Sequence, residues 1–172
     1  MRAFGRAAGR RLAWFVRRRV KNPIDLRAAL PMILPLAIEW ATSTSAKGAA
    51  SGTSLGPTGV ALAKRVGVVR PEQIRVMAVD QLPQPTHPLL RQAASQVRLL
   101  DGTGLTLGHT IFLCRRDSRI ELLAHECRHV AKYEMAGSIP AFLAVYLKQV
   151  VTVGYENAPF EIDARAHEVH GA

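Results

Sequence analysis

Residues 120–137 read IELLAHECRHVAKYEMAG, and within them His125 and His129 stand four apart with Glu126 directly after the first. Four residues along an α-helix is slightly more than one turn, so both imidazoles leave one face and can grip one ion. Glu126 is turned about 100° from His125 and flanks such an ion without binding it. From there its carboxylate can take a proton from water whose pKa zinc lowers to roughly 7, and hand it to a leaving amine. This is the chemistry of metal-assisted peptide hydrolysis, and Zn²⁺ is the expected cofactor. Cys127 points away from the histidine face and is not counted as a ligand.

A catalytic zinc needs a third protein ligand and one open position. Glu161 is the candidate. The motif helix runs roughly 12 Å past His129, and a following helix of about 14 residues can return the chain some 20 Å. That brings the first turn of a third helix, which holds Glu161, level with the imidazoles. The other carboxylates fit less well: Glu134 lies off the histidine face, Glu156 lies in a loop, and Asp163 is roughly 200° around the helix from Glu161.

The elements that must position these groups are legible in outline. Ser118 followed by Glu121 forms a capping-box pattern at the start of the motif helix, and Gly137 is a natural stop. A second helix is expected over 139–152, with Pro140 in its first turn. A third is expected over 158–169, capped by Asn157 with Pro159 following. Before them, 58–66 suits a short helix ended at Gly67, QIRVMAVD at 73–80 a strand, 88–95 a short helix and 110–113 a strand. Strands followed by helices imply an α+β fold: small N-terminal strands and helices, then an active-site helix, a connecting helix and a glutamate-bearing helix.

The segments LLAHECRHVAKYEMAG, FLAVYLKQV and GYENAPFEIDAR resemble the gluzincin branch of the zincin metallopeptidases, in its minimal bacterial forms. The resemblance spans about residues 104–170. It implies that His125, His129 and Glu161 hold zinc, that Glu126 is the general base, and that a strand lies edge-on to a peptide or protein substrate, matched here by LTLGHTIFL. Larger gluzincins add a residue that stabilises the oxyanion. Tyr155, Arg165 and His167 are the candidates for that role or for supporting the ligands, and spacing does not choose among them. The rival reading is a zinc-holding or metal-free domain with a structural or interaction role. Retention of Glu126 beside both histidines argues against it.

The chain has 172 residues, enough for one domain with a real core, and carries a net charge of +10. Eight cations, from Arg2 to Lys21, precede the first acid at Asp25, so residues 22–172 carry only +2. The basicity belongs to an arm, and residues 1–21 are expected to meet an anionic membrane surface. Few aromatics and no groove-reading motif mean that no specific nucleic-acid binding is expected. Pro31, Pro35 and Glu39 interrupt the apolar stretch at 28–41, which is too short for a span or a secretory signal. TSTSAKGAASGTSLGPTG at 42–59 reads as a linker, giving an arm, apolar helix and linker over 1–57 and a metallopeptidase domain over 58–172. Cys114 and Cys127 do not form a disulfide framework and suit buried thiols in a cytoplasmic protein, peripheral to the membrane through the arm.

Other residues have plainer readings. Glu121 and Arg128 flank the histidine face but are explained by capping and solvation. His87, His109 and His170 are assigned to surface or loops, Tyr133 to the core, and LAVYL in the second helix to a packing face.

Overall fold

A computed structural model describes residues 23–168. The basic arm and His170 lie outside the described residues. The elements run α1 (Leu26–Ser51), β1 (Thr53–Ser54), α2 (Pro57–Arg65), a single 3₁₀ turn, β2 (Arg75–Val79), α3 (Pro88–Gln96), β3 (Gly104–Leu107), β4 (Thr110–Cys114), α4 (Ile120–Ala136), α5 (Ile139–Val153) and α6 (Pro159–Ala166). The fold is α+β, as the order of patterns implies.

The four strands form one mixed sheet in the order β1-β2-β4-β3. The β2–β4 pair is parallel, with Ile111 opposite Val76. The β3–β4 pair is an antiparallel hairpin, with Thr106 opposite Ile111. Gly108 makes the hairpin turn with φ +64°, a conformation glycine adopts without strain. β3 is therefore a sheet edge.

The linker expected at 42–59 is not one. Residues 42–51 are the C-terminal half of α1, which runs unbroken through Pro31 and Pro35. Both prolines are exposed, so the carbonyls they leave unbonded face water. Ala29, Ile33, Ala37 and Ala41, each four apart, give α1 a buried stripe that packs along α5. The small, polar run continues the helix because α1 crosses the sheet closely. A Cβ on Gly48 would lie 2.6 Å from Thr110 Cγ2 and 2.7 Å from Phe112 Cζ. Residues of α1, α3, β3, β4, α4 and α5 share one core, and a second cluster joins α2, β4 and the far side of α4.

Two helix starts differ from expectation. The N-cap position of α4 is Arg119, not Ser118, and makes no side-chain cap bond; its guanidinium pairs with Asp117 at 2.8 Å. The N-cap position of α6 is Ala158, which offers no side-chain cap, and Asn157 instead donates to the Val153 carbonyl at 3.3 Å. Gly137 ends α4 with φ +82°, and Ser138 caps α5 by accepting from the Ala141 N–H. α4 and α5 meet at 116°, so the chain turns back toward the histidines. Among the described residues no single helix is long and apolar enough to cross a membrane.

Candidate metal centre

α4 is packed between β3, α2, α5 and α6, which buries His125, Glu126 and His129 together. Glu161 enters from the first turn of α6 and is 1% exposed. The three ligand-type groups converge: His125 Nε2 lies 3.2 Å from His129 Nε2, and Glu161 Oε2 and Oε1 lie 3.3 and 3.2 Å from the respective imidazole nitrogens. Ligands bound tetrahedrally to zinc at 2.0–2.1 Å sit about 3.3 Å apart. The spacing therefore fits a zinc ion, and the donor set of two imidazoles and a carboxylate fits its chemistry. Glu161 Oε2 is fully buried without a hydrogen-bond partner, so it has a lone pair to offer an ion.

The supporting contacts point the same way. His125 Nδ1 lies 3.0 Å from Glu168 Oε1, so an Nδ1–H donates outward and leaves the Nε2 lone pair facing the centre. The Tyr146 hydroxyl donates to Glu161 Oε1 at 2.7 Å. Burial alone would push the His125 pKa down, but Glu161, Glu126 and Glu168 around it raise it above the ordinary value. Burial would push the Glu161 pKa up, but His125, His129 and Tyr146 hold it well below the carboxylate range. The cluster thus favours an added positive charge, whether proton or metal.

Glu126 is held beside the three ligand-type groups without joining them. The Thr106 hydroxyl donates to its Oε2 at 2.7 Å. A Cβ on Gly104 would lie 2.2 Å from Glu126 Oε1, so the bare backbone of β3 makes the space the carboxylate occupies. Burial raises the Glu126 pKa, against the opposing pull of His129 and His125, which makes it a stronger base than an exposed glutamate.

The structure brings together His125, Glu126, His129 and Glu161, and Tyr155 lines the same cleft. Burial first, and then the negative charge of Glu161, push the Tyr155 hydroxyl far above its ordinary pKa, so it stays a proton donor. Arg165 is held elsewhere, by the Glu156 carbonyl and carboxylate, and His167 Nδ1 meets the Asp163 carbonyl at 2.7 Å. Neither faces the centre. The rival carboxylates are also occupied: Glu134 accepts from the Val69 and Arg70 N–H groups, and Asp163 takes Arg128 and Lys132. Arg128 is thus tied into the fold, not solvated. Tyr133 stacks on Phe142 in the core, and both cysteines are buried and free.

Sequence reading missed Thr106, Tyr146 and Glu168. Only Tyr146 carried a signal, as a hydroxyl on an otherwise apolar helix face. Comparison with protein-family models, curated proteins and solved structures finds no match to this chain, so the reading of the centre rests on its geometry.

Proposed function

We propose that the protein is a zinc-dependent peptidase that hydrolyses peptide bonds with Glu126 as general base. The observation that carries this reading is the pairing of a ligand-type triad at zinc spacing with a second, non-ligating carboxylate kept beside it. A purely structural zinc site is usually closed by four Cys or His ligands and has no use for such a base.

His125, His129 and Glu161 would hold the ion. Zinc, when bound, supplies Lewis acidity and lowers the pKa of water to roughly 7. Glu126 accepts the proton from the attacking water and returns it to the leaving amine. Thr106 fixes the carboxylate in one rotamer, and burial keeps it basic. Tyr155, which lines the cleft and retains its proton, is the candidate to donate to a developing oxyanion.

The edge strand supports a peptide as substrate. Cys114 N–H donates to the Thr103 carbonyl, so ladder alternation turns the backbone groups of Gly104 and Thr106 away from β4, at an edge that is half-buried at Gly104 and Leu105 and buried at Thr106. An extended peptide can pair there, beside Glu126.

The test is Glu126→Gln. It should leave one zinc per chain and reduce peptide hydrolysis by a factor on the order of 10²–10⁴, because an amide accepts no proton. Activity of the variant on a substrate the wild type cleaves would refute the mechanism. Protein that binds no zinc at neutral pH would refute the site.

A further inference from the structure

We infer that the cleft leading away from the metal centre is a specificity pocket for one aliphatic side chain of a peptide, with α1 and α3 building walls that the peptidase motif alone does not supply. The inference rests on the peptidase reading only for what presents the side chain.

One end of the cleft is His125, Glu126, His129 and Glu161, with Tyr146 and Tyr155 beside them. The rest is apolar, formed by Leu30 and Trp40 of α1, Val97 at the end of α3, Leu105 of β3, and Leu147 and Val150 of α5. Among the described residues lining it, every acidic or basic side chain belongs to the metal centre. A charged substrate side chain seated beyond that centre would lose its water and gain no partner. The cavity holds about 100 Å³. An apolar cavity of about 150 Å³ accepts a benzene ring, so this one suits the branched or straight chain of Leu, Ile or Met.

The placement of α1 supports the assignment. Its innermost stripe is buried against α5, yet Leu30 and Trp40 stay half-buried because they border the cleft. α1 is thus both core and pocket wall. The lining also includes Gly104 and Leu105 of the edge strand β3, so a peptide paired to that edge would have a side chain within reach of the cleft.

The experiment uses full-length, zinc-loaded Glu126→Gln protein, which cannot consume its ligand. Blocked hexapeptides on an alanine background, with Leu, Met, Glu or Lys placed at each position in turn, are titrated by calorimetry. At one position Leu and Met should bind on the order of tenfold or more tighter than Ala, and Glu and Lys should weaken binding. Leu30→Asp and Val97→Asp, on separate walls, should each erase the preference while zinc content and the circular dichroism spectrum are unchanged. Leu30→Trp should narrow the cleft and shift the preference from Leu toward Ala. Indifference to the side chain overturns the pocket, as does failure of the whole set to bind, or full retention of the preference in folded, zinc-loaded Leu30→Asp and Val97→Asp proteins. Wild-type hydrolysis of the same peptides separates the two ideas. Selective binding without cleavage defeats the peptidase reading and leaves the pocket standing; cleavage without selectivity does the reverse.

Discussion

Two carboxylates on α6, two residues apart, face opposite fates. Glu161 meets two imidazoles and a tyrosine hydroxyl, and keeps one oxygen without a hydrogen bond. Asp163 meets Arg128 through both oxygens, at 2.7 and 3.2 Å, with the Lys132 ammonium at 2.5 Å and the His167 ring at 3.6 Å. Both have pKa values pushed below the usual range. Strong perturbation alone therefore does not mark a metal ligand. What separates them is saturation: Asp163 is satisfied by fixed cations, whereas Glu161 has neighbours whose lone pairs and one bare oxygen leave room for an ion. One carboxylate is a clamp between α4 and α6, and the other converges with two imidazoles.

The largest expected effect comes from exchanging these roles by mutation. Glu161→Gln should weaken zinc binding on the order of a hundredfold or more, by replacing an anionic ligand with a weak neutral one. Asp163→Asn should lower zinc affinity far less, and only through looser ordering of α6. It should mainly lower folding stability, by about 1–3 kcal/mol, through the buried Lys132 left poorly paired. That range allows for Asp163 being one-third exposed and partly screened. Zinc titration and urea melts on both variants check the contrast, which collapses if the two behave alike.

Glu168 sharpens the comparison from the other side. It touches no ion, but it fixes which nitrogen of His125 faces the centre. Glu168→Gln should reduce zinc affinity 10- to 100-fold, with little change in metal-free stability. An unchanged affinity would mean that packing alone orients the ring.

A smaller effect is expected from acid. Arg128, and then Lys132, hold the Asp163 pKa below its unfolded value near 3.9. Its stabilisation is therefore present above that value and fades as pH falls from about 4 toward the folded pKa. Metal-free wild type should lose urea resistance between pH 4 and 3 more steeply than Asp163→Asn. The smallest effect concerns Cys127, whose thiol burial raises to about 12. At pH 8 it should react with a thiol reagent only after unfolding.

The candidate ligands were legible because each depends on local periodicity: a four-residue spacing on one helix, and a return distance set by one connecting helix. Glu161 followed from that arithmetic even though α6 ends at Ala166, and not near 169. Thr106 and Glu168 had no such signature, since a hydroxyl on a strand and a glutamate after a helix become partners only through tertiary packing. The same holds for the misplaced linker. Ser, Thr, Ala and Gly at 42–51 look like loop composition, and only the close crossing of Gly48 over Phe112 explains why small residues serve a helix there. Arg165 and His167 share a segment with Glu161, but α6 turns them to other partners. Proximity in sequence was a poor guide on so short a helix.

The brevity of α6 has a thermodynamic consequence. Eight residues are too few to stay helical in water unaided, because the nucleus costs more than two turns return. The Asp163 clamp ties the helix to α4 whether or not an ion is present. Binding then need not bear the entropy of ordering Glu161's helix, and more of the coordination energy is left as affinity. Hydrogen exchange on Asp163→Asn would show this as faster amide turnover across 159–166 in the metal-free protein, restored when zinc is added. The neighbouring salt cluster, remote from any reaction, would then act as a preorganising strut for the ligand two residues away.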